Sequence, residues 1–131
     1  EVQLLRVRQV LRNIQTQVLG VLPQQTAKTV IARANGGCIR AVVPASRRLS
    51  LEKLATVAGP RPALLSEPEL DGAYPQFELG AVPPFGGKHA DRVLVDPRLA
   101  EHEQLVLAAG THDTSLRMAT GDLLRLTEAQ V

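Results

Sequence analysis

A single cysteine, Cys38, stands among the 131 residues, so an internal disulfide is excluded, and a disulfide-stapled secreted scaffold with it. Aromatic residues are nearly as scarce. Tyr74, Phe77 and Phe85 have no tryptophan beside them, too few to build the platforms on which RNA-recognition sheets and oligonucleotide barrels stack successive bases. Long apolar runs are missing as well: those like Leu105 to Ala109 reach about five residues, against the ~20 that a membrane-spanning helix needs. No leader with a charged start and an apolar core is visible, and the reading is a cytoplasmic protein with no membrane partner. Lysine occurs only at Lys28, Lys53 and Lys88, and the other basic residues are arginines, whose planar fork suits phosphate and carboxylate. A net charge of +2 without a dense basic tract argues against extended nucleic-acid contact, so any RNA is expected to be gripped at an end.

What is present is ordinary globular material, 44% hydrophobic and 21% charged, of a length that makes one domain over residues 1–131. Leu4, Val7, Leu11, Ile14 and Val18 recur at helical spacing before Gly20 and Pro23 end the pattern. The β-branched run from Thr26 to Ala34, then Asn35-Gly36-Gly37, then Cys38 to Val43, spells a hairpin. Ser50 is placed to cap a helix over Leu51 to Ala58, with Leu49 and Leu54 at staple positions. Ser66 and Glu69 have capping-box spacing for a short turn of helix. Arg92 to Val95 and Leu105 to Ala109 read as buried strands separated by a brief helix from Asp96-Pro97, and Leu116 to Ala119 reads as a last strand. Thr120 is expected to cap a final helix running to Ala129. The sum is an α+β fold: a curved mixed, largely antiparallel sheet forming a partial barrel, flanked by helices.

Three features could carry chemistry. Lys28 shares a strand face with Val30 and Ala32, where an ammonium must find a partner or line a cavity if the face is buried. A lysine guarding a sheet edge would look the same in sequence. The stretch from Leu79 to His89 packs glycines, two prolines and exposed N–H groups into a loop suited to oxyanions, although a surface loop of no function shares that composition. Gly110, Thr111 and His112 form either a plain turn or a second polar wall of the same cleft. His89, His102 and His112 lack metal-ligand spacing, so no metal is expected. Ser115 lies too close in sequence to His112 and Asp113 to face them as a triad, and Cys38 reads as an inert core thiol.

Four ordered stretches, Ala27-Lys-Thr-Val-Ile-Ala-Arg33 with Gly36-Gly37, Arg48-Leu-Ser-Leu-Glu-Lys-Leu-Ala55, Leu79-Gly-Ala-Val-Pro-Pro-Phe-Gly86, and Ala109-Gly110 leading into Gly121-Asp-Leu-Leu-Arg-Leu126, resemble the YbaK family. These are stand-alone aminoacyl-tRNA deacylases related to the editing domain inserted in bacterial prolyl-tRNA synthetases. The resemblance implies hydrolysis of a mischarged aminoacyl-tRNA, such as a mischarged tRNA-Pro, by water attack on the ester without metal or other cofactor. A silent relative would use the same cleft only to bind. Lys28 matches the family's functional lysine, while Gly80 and Pro84 match the GxxxP loop that shapes the substrate pocket. Ala81, Val82, Phe85 and Gly86 of that loop, and Gly110, Thr111 and His112, are the implied substrate contacts. The implied partners are the 3′ acceptor end of an aminoacyl-tRNA and an aminoacyl-tRNA synthetase. The cysteine-selective branch carries a serine and an aspartate where Ala108 and Ser115 fall, and Pro83 replaces the loop's usual serine, which points away from cysteinyl-tRNA.

Overall fold

The computed structural model describes residues 25–78, 80–86, 91–108, 110 and 115–131; the helix expected over Leu4 to Val18, together with His89, Ala109, Thr111 and His112, lies outside them. β1 (Ala27–Ala34) and β2 (Gly37–Pro44) form the expected antiparallel hairpin, with Ala27 opposite Pro44 and Ala34 opposite Gly37. Asn35 and Gly36 turn the chain at φ 52° and 76°. Two consecutive left-handed residues are what a type I′ turn demands, which is why an Asn-Gly pair serves there. The Asn35 side chain also donates to the Ala58 carbonyl at 3.0 Å, tying the hairpin tip to the end of α1 (Leu51–Ala58). Ser50 caps α1 by accepting from the Lys53 N–H at 3.2 Å, and Leu49 packs on the cluster that contains Leu54.

β3 (Ala63–Leu64) pairs with the far end of β1 at Ala32 and Arg33. It is two exposed residues long, too short for alternation to announce it. α2 (Glu67–Ala73) opens with the capping box in full, each of Ser66 and Glu69 accepting from the other's backbone N–H. β4 (Arg92–Val95) joins the other edge of β2 in parallel, giving the order β3-β1-β2-β4. After α3 (Pro97–Ala100), which Asp96 caps, β5 (Gln104–Ala108) and β6 (Ser115–Ala119) make a second hairpin. A parallel bridge between Thr26 and Val106 joins that hairpin to the start of β1, and Gln130 lies along β4 through bonds to Val93 and Val95. The barrel is partial and mostly antiparallel, as the sequence implies. Among the described residues no helix is long and apolar enough to cross a membrane.

α4 (Thr120–Thr127) departs from the reading at both ends, and stops two residues short of Ala129. Thr120 is its first residue, Ala119 occupies the cap position, and no side chain caps it. The Thr120 hydroxyl is drawn instead to the His102 carbonyl at 2.5 Å, while its N–H donates to Glu103 at 2.8 Å. A tertiary acceptor has outbid the local cap, which spacing alone does not reveal.

Alternation divides the β1–β2 hairpin into two faces. Ala32, Ala34 and Ile39 bury against Leu54 and Ala58 of α1. On the opposite face Ala27 and Val42 join Val93, Val95, Leu99, Leu105, Leu107, Met118 and Leu123 in the main core, and Ile31 packs with Leu65, Tyr74 and Val82.

Candidate functional site

β1 is paired along its whole length by β2, but its other edge is shared: β5 meets it at Thr26 and β3 meets it at Ala32 and Arg33. Among the described residues no strand pairs with that edge between them, at Lys28 to Val30. Lys28 is half-buried, opposite Val43 on the Val30 side of the strand, and no described residue pairs with its ammonium. The Thr26 to Val106 bridge lies two residues before Lys28, and β5 ends at Ala108, whose cross-strand partner is Ser115.

The glycine-rich loop closes in from the opposite side of β1, where Val82 packs beside Ile31. Gly80 and Gly86 bound it at φ 80° each, a conformation that a side chain resists. Ala81, Val82, Pro83 and Pro84 between them are buried, Phe85 is half-buried, and the two glycines are exposed. Two backbone bonds lock this loop to Gly110 after β5, and a third closes the segment on itself. The Glu78 N–H donates to the Gly110 carbonyl at 2.8 Å, the Gly110 N–H to the Ala81 carbonyl at 2.9 Å, and the Ala81 N–H to the Glu78 carbonyl at 3.0 Å. Gly110 is buried at φ 98°, and a Cβ there would come within 2.9 Å of the Phe77 ring. Two segments singled out in the sequence, Gly80 to Gly86 and the turn at Gly110, are thus brought together. Thr111 and His112 lie outside the described residues.

Beneath the loop is a group the sequence reading missed. Arg40 on β2 is 1% exposed, on the face of Ile31 and Val42. Its Nε donates to Asp91 at 2.9 Å, Nη1 to the Pro83 carbonyl at 2.9 Å, and Nη2 to the Gly86 carbonyl at 2.6 Å. Tyr74 lies under the guanidinium, 5.0 Å from ring centre to Cζ, and donates its hydroxyl to the same Asp91 oxygen at 2.5 Å. Burial, then the bond to Asp91, pushes the Tyr74 phenol well above its ordinary range, so it stays a donor. The signal was available: an arginine inside the apolar run Cys38 to Val43 poses the same question as Lys28 does in β1. Cys38 itself is half-buried against the Ile31 cluster, in an apolar setting.

The glycine-bounded loop, backed by the buried guanidinium, lies over one face of the hairpin, and Lys28 stands on the other face of β1. Comparison with known proteins gives the family. Residues 14–126 match the family model of the aminoacyl-tRNA editing domain, and the chain belongs to that family. It is similar to the multifunctional Ser/Thr-tRNA deacylase ProXp-y of Escherichia coli K12, with 27% identity over 122 residues, 88% of this chain and 72% of that one. The solved structure of a candidate trans-editing enzyme for prolyl-tRNA synthetase superposes with a TM-score of 0.83 at 22% identity, covering 100% of this chain and 95% of the other. The hypothetical protein APE2540 gives the same TM-score, 0.83, at 21% identity and 96% coverage of both chains, and these two likenesses establish the fold.

Proposed function

We propose that the protein is a trans-editing hydrolase that clears mischarged aminoacyl-tRNA by water attack on the aminoacyl ester, with Lys28 and the Gly80 to Gly86 loop as its working parts. The observation that carries this reading is the bonding of the loop to Gly110, two residues past the end of β5, the strand that bridges the chain at Thr26, two residues before Lys28. An aminoacyl ester is already activated, so the site need only hold the terminal adenosine, admit the wrong acyl group and stabilise the oxyanion. The N–H groups of Val82, Phe85 and Gly86 donate to no described partner and supply candidate oxyanion donors. Water adds to the carbonyl carbon, negative charge gathers on the carbonyl oxygen, and collapse expels the ribose oxygen, which leaves with a proton as the free tRNA hydroxyl. Lys28 steadies that charge or anchors the substrate; it forms no covalent bond. The substrate's own neighbouring ribose hydroxyl helps to place the water, and no metal enters the step.

Because the E. coli relative is a Ser/Thr-tRNA deacylase, seryl and threonyl esters, including those on tRNA-Pro, head the substrate panel. Following hydrolysis of each mischarged tRNA over time tests the reading. Lys28→Ala should lose at least about tenfold in rate, roughly 1.4 kcal/mol of transition-state stabilisation, with its melting temperature unchanged. Lys28→Arg should not restore it, since a planar fork replaces a compact ammonium. Wild-type turnover in Lys28→Ala would remove the lysine from the reaction.

A further inference from the structure

We propose that Arg40 is a positioning residue for this site: its guanidinium fixes the Pro83 to Gly86 segment from inside the core and thereby sets the rate of the hydrolysis. The proposal rests on the deacylase reading above. Pro83 and Pro84 have no N–H, so the segment cannot fasten itself through its own donors at those positions, yet its carbonyls are carried into a buried layer where an unpaired acceptor is costly. Donors must come from elsewhere.

Arg40 supplies them in a form no other side chain can. Nη1 takes Pro83 and Nη2 takes Gly86, the two ends of the segment, while Nε is held by Asp91 and the flat of the guanidinium rests on Tyr74. The fork is rigid, so the spacing of the two carbonyls is imposed by β2 rather than chosen by the loop. The two peptide units held in this way, Pro83–Pro84 and the one leaving Gly86, bracket the Phe85 and Gly86 N–H groups, the part of the loop that must meet the ester. A shift of about 1 Å in such a unit is enough to cost a large factor in rate without unfolding anything. Asp91 and Tyr74 act one step further back: Asp91 neutralises the guanidinium, and Tyr74, bonded to the same carboxylate oxygen, lies under it and keeps it from turning.

The test compares Arg40→Lys, Arg40→Ala and Tyr74→Phe with the wild type on one mischarged tRNA that the wild type hydrolyses, measuring kcat and KM, melting temperature, and amide hydrogen exchange. Arg40→Lys keeps the charge and loses the fork. It should lower kcat at least about tenfold while KM moves less than about threefold, and exchange should quicken at Phe85 and Gly86 but not within the β1–β2 hairpin. Free guanidinium ion should restore part of the rate to Arg40→Ala and none to Lys28→Ala. Tyr74→Phe removes one hydroxyl from the support and should show a smaller loss of kcat in the same direction; it serves if the Arg40 variants do not fold. Wild-type kcat in Arg40→Lys would overturn the proposal. So would a loss that follows melting temperature alone, with all amides affected together and no response to guanidinium. If the wild type hydrolyses no member of the panel, the deacylase reading fails; unchanged exchange at Phe85 and Gly86 in Arg40→Lys would separately refute the clamp.

Discussion

The two faces of the β1–β2 hairpin are covered in different ways. On one, a helix of eight residues lays Leu54 and Ala58 onto Ala32, Ala34 and Ile39, an apolar contact with one hydrogen bond, from Asn35 to Ala58, at its edge. On the other, an irregular loop lies over a buried arginine, an aspartate and a tyrosine. The helix satisfies its own backbone, so its cover needs only shape and apolar surface. The proline-rich loop cannot do so, and the core beneath it has to be polar. A covering element that cannot bond its own backbone is therefore matched by a charged group in the layer below, and the two cannot be altered independently.

The sharpest way to break this comparison is to truncate on each side. Arg40→Met leaves Asp91 buried without its cation and should cost about 3–5 kcal/mol, the range for a broken buried pair. Leu54→Ala should cost about 2–5 kcal/mol through lost burial and a cavity. Chemical denaturation gives both numbers; the discriminating result is that kcat per folded molecule falls only on the Arg40 side. Equal kcat in the two variants would mean that the polar layer is only another way of filling space. A smaller and more local change is Gly80→Val, which places a β-branched residue at φ 80° where the loop turns. It should reduce turnover more than it lowers the melting temperature, and parallel losses in the two would make the loop structural.

The mildest effect lies away from both faces. Arg98 hydrogen-bonds the Asp96 side chain at 3.0 and 2.7 Å and holds its carboxyl below the ordinary value of 3.8. A carboxyl depressed in the folded state stabilises it above the unfolded value and loses that contribution as the pH falls through the folded one. Stability should then decline slightly below about pH 4 through this group, and Asp96→Asn should flatten the acid limb of a melting curve taken against pH. An unaltered limb would show the pair to be inert, as many exposed ion pairs are.

Much of the framework can be read in the chain because its causes are local. Asn35-Gly36 has one good use between two apolar runs, and Ser66 with Glu69 can satisfy each other within one turn. Thr120 shows the limit: its hydroxyl met the His102 carbonyl, which lies beyond any helical spacing. Lys28 and Gly80 stand out by residue type in a strand and a loop, whereas the importance of Arg40 depends on Asp91 and Tyr74 arriving from distant parts of the sequence. β3 has no periodic signature at all, since two residues cannot alternate enough to be recognised.

Chain connectivity ranks these contacts in another way. The bond from Asn35 to Ala58 spans 23 residues, that from Arg40 to Pro83 spans 43, and that from Arg40 to Asp91 spans 51. Each doubling of a closed loop adds about 0.6 kcal/mol of entropy cost, so joining the guanidinium to its partners asks more of the unfolded chain than tying the hairpin to its helix. The bridge from Thr26 to Val106, which brings the lysine strand to the end of β5, encloses more chain than any of these. Assembling the cleft thus carries the largest loop-closure cost among these contacts, and the hairpin and its helix the smallest.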